Sequence, residues 1–145
     1  MKIYEKFKIR KNKISVNFFP ETKDELIDII TDKVNKCKAA GNDTLDLSDI
    51  DISNITNLST LFHKIANSRN DSFLKTNIKT INVTGWDTSN VNDMQFMFRG
   101  IDGINSIIGL GTWDTSNVTS FREFFCHCSE LTSVDGIKNF KFDKC

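Results

Sequence analysis

Apolar residues in this chain keep two rhythms, and each change of rhythm marks an element. From residue 3 to 19 they alternate with polar ones. Ile3, Phe7 and Ile9 run up to Lys11-Asn12, and Ile14, Val16 and Phe18 lead away. Period-two alternation around a polar pair predicts a β-hairpin, and Pro20 ends it. Thr22-Lys23-Asp24-Glu25 is a capping box, with Thr at the N-cap and Glu three places on. Leu26, Ile27, Ile30, Val34 and Cys37 then follow at helical spacing. Asp24, Glu25 and Asp28 sit at the end a helix dipole makes positive, Lys36 and Lys38 at the other, and Gly41 suits the C′ position. A helix over 23–40 is predicted. Leu45 to Ile52 alternates again and predicts a strand.

Beyond this point the pattern repeats. Trp86-Asp87-Thr88-Ser89-Asn90-Val91 returns as Trp113-Asp114-Thr115-Ser116-Asn117-Val118, 27 residues later, and a weaker copy stands at Ile50-Asp51-Ile52-Ser53-Asn54-Ile55. Each tag is followed by apolar residues at i, i+3, i+4, i+7. They are Leu58, Leu61, Phe62 and Ile65, then Met94, Met97, Phe98 and Ile101, then Phe121, Phe124, Phe125 and Cys128. That spacing is one face of a helix, and Thr56, Asn92 and Thr119 stand where N-caps would. Ile78–Ile81, Ile104–Ile107 and Leu131–Val134 follow as short extended pieces, the last two trailed by Gly109 and Gly136. Segments this short need a neighbouring copy to cover them, so the periodicity predicts stacked repeats.

The tag, the helix ending in Phe and Cys128-Ser129-Glu130-Leu131-Thr132-Ser133 together resemble the BspA-like leucine-rich repeats (DUF285 type). The resemblance covers roughly 43–140. That family occurs in bacterial surface proteins and is scattered elsewhere, including phages. The expected fold is an α/β repeat. It is a short leucine-rich-repeat-like solenoid with one strand and one helix per repeat, capped by the hairpin and long helix. The chain is expected to be one domain, residues 1–42 forming the cap and 43–145 three to four repeats. The resemblance implies binding to other macromolecules and names no ligand.

Charge changes the picture at one place. The formal net charge of the 145 residues is zero. Yet residues 1–13 hold Lys2, Lys6, Lys8, Arg10, Lys11 and Lys13 against Glu5, so 6 − 1 = +5. A lysine-guarded sheet edge explains this. The sharper alternative is a patch for an acidic partner or nucleic acid, through Lys6, Lys8, Arg10, Lys11 and Lys13. No apolar h-region follows Met1 and no run reaches the ~18 apolar residues of a spanning helix, so a cytoplasmic location and no membrane contact are expected.

Candidate chemistry is sparse. His63 and His127 adjoin no recognisable nucleophile. Asp51, Asp87 and Asp114 recur with the tag, so turn-capping explains them best. Trp86 and Trp113 recur as well and are expected to stack in the core. Cys126-His127-Cys128 lacks a second pair at zinc spacing, so Cys37, Cys126, Cys128 and Cys145 are expected to be structural thiols, with no metal and no cofactor. A non-enzymatic protein-binding module is therefore expected, in the manner of a phage or mobile-element protein inhibiting a host factor. An adhesive module of a surface protein and a nucleic-acid binder stand as alternatives. The expected contact residues are the exposed, copy-specific Arg99, Arg122, Glu123 and Glu130, with Arg69 and Asp71 in the extra nine residues (36 − 27) between the first and second tags. The incomplete last copy offers a terminal strand through which a homodimer could form.

Overall fold

The computed structural model describes residues 5–10, 13–67, 73, 76–138 and 140. Strands β1 (Glu5–Arg10) and β2 (Lys13–Phe18) form the expected antiparallel hairpin, in register from Glu5 opposite Phe18 to Arg10 opposite Lys13. Helix α1 runs Lys23–Ala40, as its capping signals require. Thr22 Oγ1 accepts from Glu25 N at 3.2 Å, and Gly41 closes the helix at φ 69°, its N–H turned back to the last carbonyls. The Glu25 carboxylate reaches Glu21 N rather than the cap residue's own amide. Leu26, Ile29, Ile30 and Val34 form the buried stripe of α1.

Four short strands make a second, wholly parallel sheet in chain order: β3 (Thr44–Asp46), β4 (Thr80–Asn82), β5 (Ser106–Ile108) and β6 (Ser133–Val134). Leu45, Ile81 and Ile107 stand level and point inward, fully or almost fully buried. The strands begin about two residues later than the apolar pattern suggests. The residues before them bond obliquely to one carbonyl: Lys79 N and Thr80 N both donate to Asp43 O, and Asn105 N and Ser106 N both donate to Lys79 O. The predicted strand at 45–52 ends at Asp46, because Asp46 Oδ1 accepts from Ser48 N and Ser48 Oγ and turns the chain. The end of the hairpin attaches at the turn after β3, with Phe18 N donating to Asp49 O and Asp51 N to Phe18 O. Lys33 on α1 locks this junction, 2.8 Å from Asp49 and 4.7 Å from the centre of the Phe18 ring.

The expected solenoid with one helix per repeat is not what forms. The chain is a compact α/β domain with one four-stranded parallel sheet and two α-helices among the described residues. Only the first copy has a helix after its tag, α2 (Leu61–Ala66). Residues 95–100 and 122–127, expected as helices, are tight turns. Two causes act together. Positive φ recurs four residues apart in the later copies, at Phe96 (58°) and Gly100 (66°) and at Glu123 (49°) and His127 (60°), which leaves no room for a right-handed helix. After Thr60 (60°), in contrast, the equivalent position, Lys64, lies inside α2. The amides then bond sideways instead of four residues back. Leu58, Thr60 and Phe62 donate to Asp93 O, Gln95 O and Met97 O, and Met94, Phe96, Phe98 and Gly100 donate to Ser120 O, Arg122 O, Phe124 O and Cys126 O. Thr56 and Asn92 do not cap helices. Their carbonyls accept from Asn92 N and Thr119 N in the next copy.

The same apolar residues are nonetheless buried. Leu58, Leu61, Phe62, Met94, Met97 and Phe98 are all at 0 % exposure and join α1 in one core. Aromatic rings line up between copies: Phe62 stacks on Phe98 at 4.7 Å, and Trp86 on Trp113 at 6.1 Å with planes 1° apart. Phe140 extends the tryptophan column, its ring 6.3 Å from that of Trp113. Copies approach so closely that a Cβ on Gly136 would fall on the Gly111 backbone.

Candidate functional site

The corner after each tag carries different side chains in each copy, and its geometry is set locally. Asn57 Oδ1 accepts from Ser59 N, Asp93 Oδ1 from Gln95 N, and Ser120 Oγ from Arg122 N. Each is a side chain closing its own turn two residues on. Asn57, Asp93 and Ser120 also pair as parallel bridges, so the three turns lie side by side. The next residue in each is the positive-φ one, Thr60, Phe96 or Glu123. One backbone corner thus carries three unlike side chains.

Three expected contact residues meet there. Arg99 Nε lies 2.9 Å from Glu123 Oε2, close enough for charge attraction although its N–H is not aligned for a hydrogen bond. The guanidinium carbons of Arg99 and Arg122 stand 6.0 Å and 5.6 Å from the centre of the half-buried Phe96 ring. These are cation–π distances. Glu130 does not join them. Its carboxylate accepts from Gly103 N, a bond inside the fold. Arg69 and Asp71 lie outside the described residues. Phe96 is the member that sequence reasoning missed. The signal was available: an aromatic off the apolar stripe, where the other copies carry Thr and Glu.

Basic residues of the chain's beginning fall on the hairpin. Lys6, Lys8 and Arg10 occupy alternate positions of β1, and Lys13 stands opposite Arg10. Lys11 lies outside the described residues.

The tag aspartates do what turn-capping predicts. Asp51, Asp87 and Asp114 accept from Ser53 N, Ser89 N and Ser116 N, and from the same serines' hydroxyls at 2.6 Å. These bonds, the Ser116 hydroxyl first, hold the Asp114 carboxyl below its ordinary value, and the Ser48 hydroxyl does the same for Asp46. The tags are stapled together by Asn90 Nδ2 to Ser53 O at 2.8 Å and Asn117 Nδ2 to Ser89 O at 2.7 Å. Beside them a polar cleft of about 300 Å³ is lined by Asn17, Ser48, Asp51, Ser53 and Asp87.

His63 Nδ1 lies 2.8 Å from Arg99 O and 3.0 Å from Asn67 Nδ2, a link between copies. Cys128 fills an apolar slot and donates its Sγ–H to Phe98 O, and burial pushes its thiol pKa up. The expectation of thiols throughout holds for Cys37 and Cys128 but not for Cys126, which is disulfide-bonded. In a tight turn rather than a helix, residue 126 is turned inward and only 2 % exposed. Among the described residues no three ligating side chains gather to hold a metal, and no helix is long and apolar enough to cross a membrane.

Stacked tags, parallel strands and side-closed corners define a small α/β domain assembled from sequence copies. The chain belongs to the family described as Mycoplasma protein of unknown function, DUF285, whose family model matches residues 67–145, more than half its length. None of the curated proteins and none of the solved structures matches it.

Proposed function

We propose that this protein is a non-enzymatic protein-binding module. One observation carries the reading: a constant backbone corner displays Thr60, Phe96 and Glu123 in turn, and gathers Arg99, Arg122 and Glu123 around the half-buried Phe96 ring. A fixed frame with variable side chains suits recognition, which needs rigid positions and freely chosen contacts. The finer likeness to BspA-like leucine-rich repeats, carried by the WDTSNV tags, points the same way. Inhibition of a host factor by a phage or mobile-element protein is one use such a module fits. The test is affinity capture on the full chain at physiological salt, then titration of the captured protein in purified form. A saturable curve weakened by Arg122→Glu is expected. Retention that never saturates, or that ignores the substitution, overturns the proposal.

A second reading has its own observation. The hairpin register sets Lys6, Lys8, Arg10 and Lys13 close together on one ribbon, which favours nucleic acid. It predicts binding that falls steeply as salt rises, by a slope of about −0.7 to −0.9 per phosphate neutralised. No retention on DNA or RNA at low salt removes it.

A further inference from the structure

We infer that the Phe96 corner is the anchor of the binding surface and that the partner presents an acidic protein segment to it. This rests on the protein-binding reading above. The fold has no need of an aromatic at this position, because Thr60 and Glu123 hold the same corner in the neighbouring copies. Phe96 is also the wrong residue for the backbone. At φ 58° a bulky side chain is strained, where Gly or Asn would not be. The same φ recurs at Thr60 and Glu123, so the strain belongs to the corner and the ring is what this copy adds to it. The ring is half-buried and lies outside the core cluster that holds Phe98, two residues on, at 0 % exposure.

The charges around the ring say what it receives. Arg99 and Arg122 come from different copies and both flank it. Glu123 holds one side of Arg99, while the exposed Arg122 has no carboxylate partner among the described residues. The corner is thus an aromatic platform with an unmatched guanidinium. Aromatic and arginine side chains are the ones that carry binding energy at protein interfaces, and unpaired positive charge selects acidic partners. Nucleic acid fits less well. Single strands are held by successive rings along a positive groove, whereas this corner has one ring and a carboxylate 2.9 Å from Arg99.

The experiment is selection from a random displayed peptide library on the immobilised full chain, with a single-stranded oligonucleotide titrated in parallel at low salt. Phe96→Gly removes the ring and relieves the backbone, so it keeps the fold, as circular dichroism will verify. Phe96→Asn is the second variant, and Arg122→Glu reverses the charge. The expected result is enrichment of acidic peptides that bind each variant at least about tenfold more weakly, a change of about 1.4 kcal/mol. Enrichment of neutral or basic peptides, or variants that bind like the parent, overturns the inference and leaves the protein-binding reading standing. An oligonucleotide that binds more tightly than the enriched peptides also overturns it. Failure to enrich any peptide overturns both.

Discussion

Two phenylalanines two residues apart play opposite parts. Phe98 is fully buried and stacks on Phe62, so Phe98→Ala is expected to cost about 3–5 kcal/mol, the range for truncating a core aromatic. Phe96→Asn, in contrast, places a residue tolerant of left-handed backbone at φ 58° and is expected to leave stability unchanged or raise it by up to about 1 kcal/mol. Urea unfolding of both variants checks the contrast, and a large loss at 96 would contradict it. Gly136 is the reverse case. At φ 74° and against the Gly111 backbone it has no room for a methyl group, so Gly136→Ala is expected to lower stability by more than about 1 kcal/mol. The sequence displayed the core at this scale. Every apolar position of the three tagged stripes is buried or packed against buried residues. It could not display the positive φ of Thr60, Phe96 and Glu123, because none of the three is a residue that asks for it.

At the scale of elements, the error about the helices has a definite source. Apolar residues at i, i+3, i+4, i+7 are buried equally well by an amphipathic helix and by a turn that doubles back against a neighbouring copy. Only the destination of the backbone hydrogen bonds separates the two, and in 95–100 they go sideways to the next copy. The capping signals of α1 were legible because a capping box and a left-handed glycine act within one element. Sideways bonding has a measurable outcome. The amides of Phe96 and Gly100 donate to Arg122 O and Cys126 O, whereas the equivalent amides of Glu123 and His127 have no acceptor among the described residues. Hydrogen exchange is expected to be markedly slower at the first pair than at the second. Equal protection would show that the ladder does not govern these turns.

The whole molecule carries a charge pattern with a pH consequence. Asp46 and Asp114 have carboxyl pKa values held below the ordinary 3.8 by serine hydroxyls. A carboxylate depressed in the fold contributes stability above its unfolded pKa, and that stability is lost as pH falls through the folded value. Unfolding midpoints are therefore expected to be flat from neutral pH down to about 4 and to drop below it. Asp46→Asn is expected to weaken that acid dependence. An acid limb identical to the parent's would refute the assignment.

The sideways ladder also says where the chain can change length. Paired strands β4 and β5 are offset by 26 residues (106 − 80), while the tags beyond them are offset by 27 (113 − 86). The odd residue is swallowed by the short 3₁₀ turn Leu110–Thr112, and neither ladder loses step. Surplus length gathers at corners between ladders and is refused within them. Such a corner is a natural splice point, and an extra residue beside the exposed Thr112 should be borne far better than one inside Thr80–Asn82, where each peptide is already spoken for on the strands beside it.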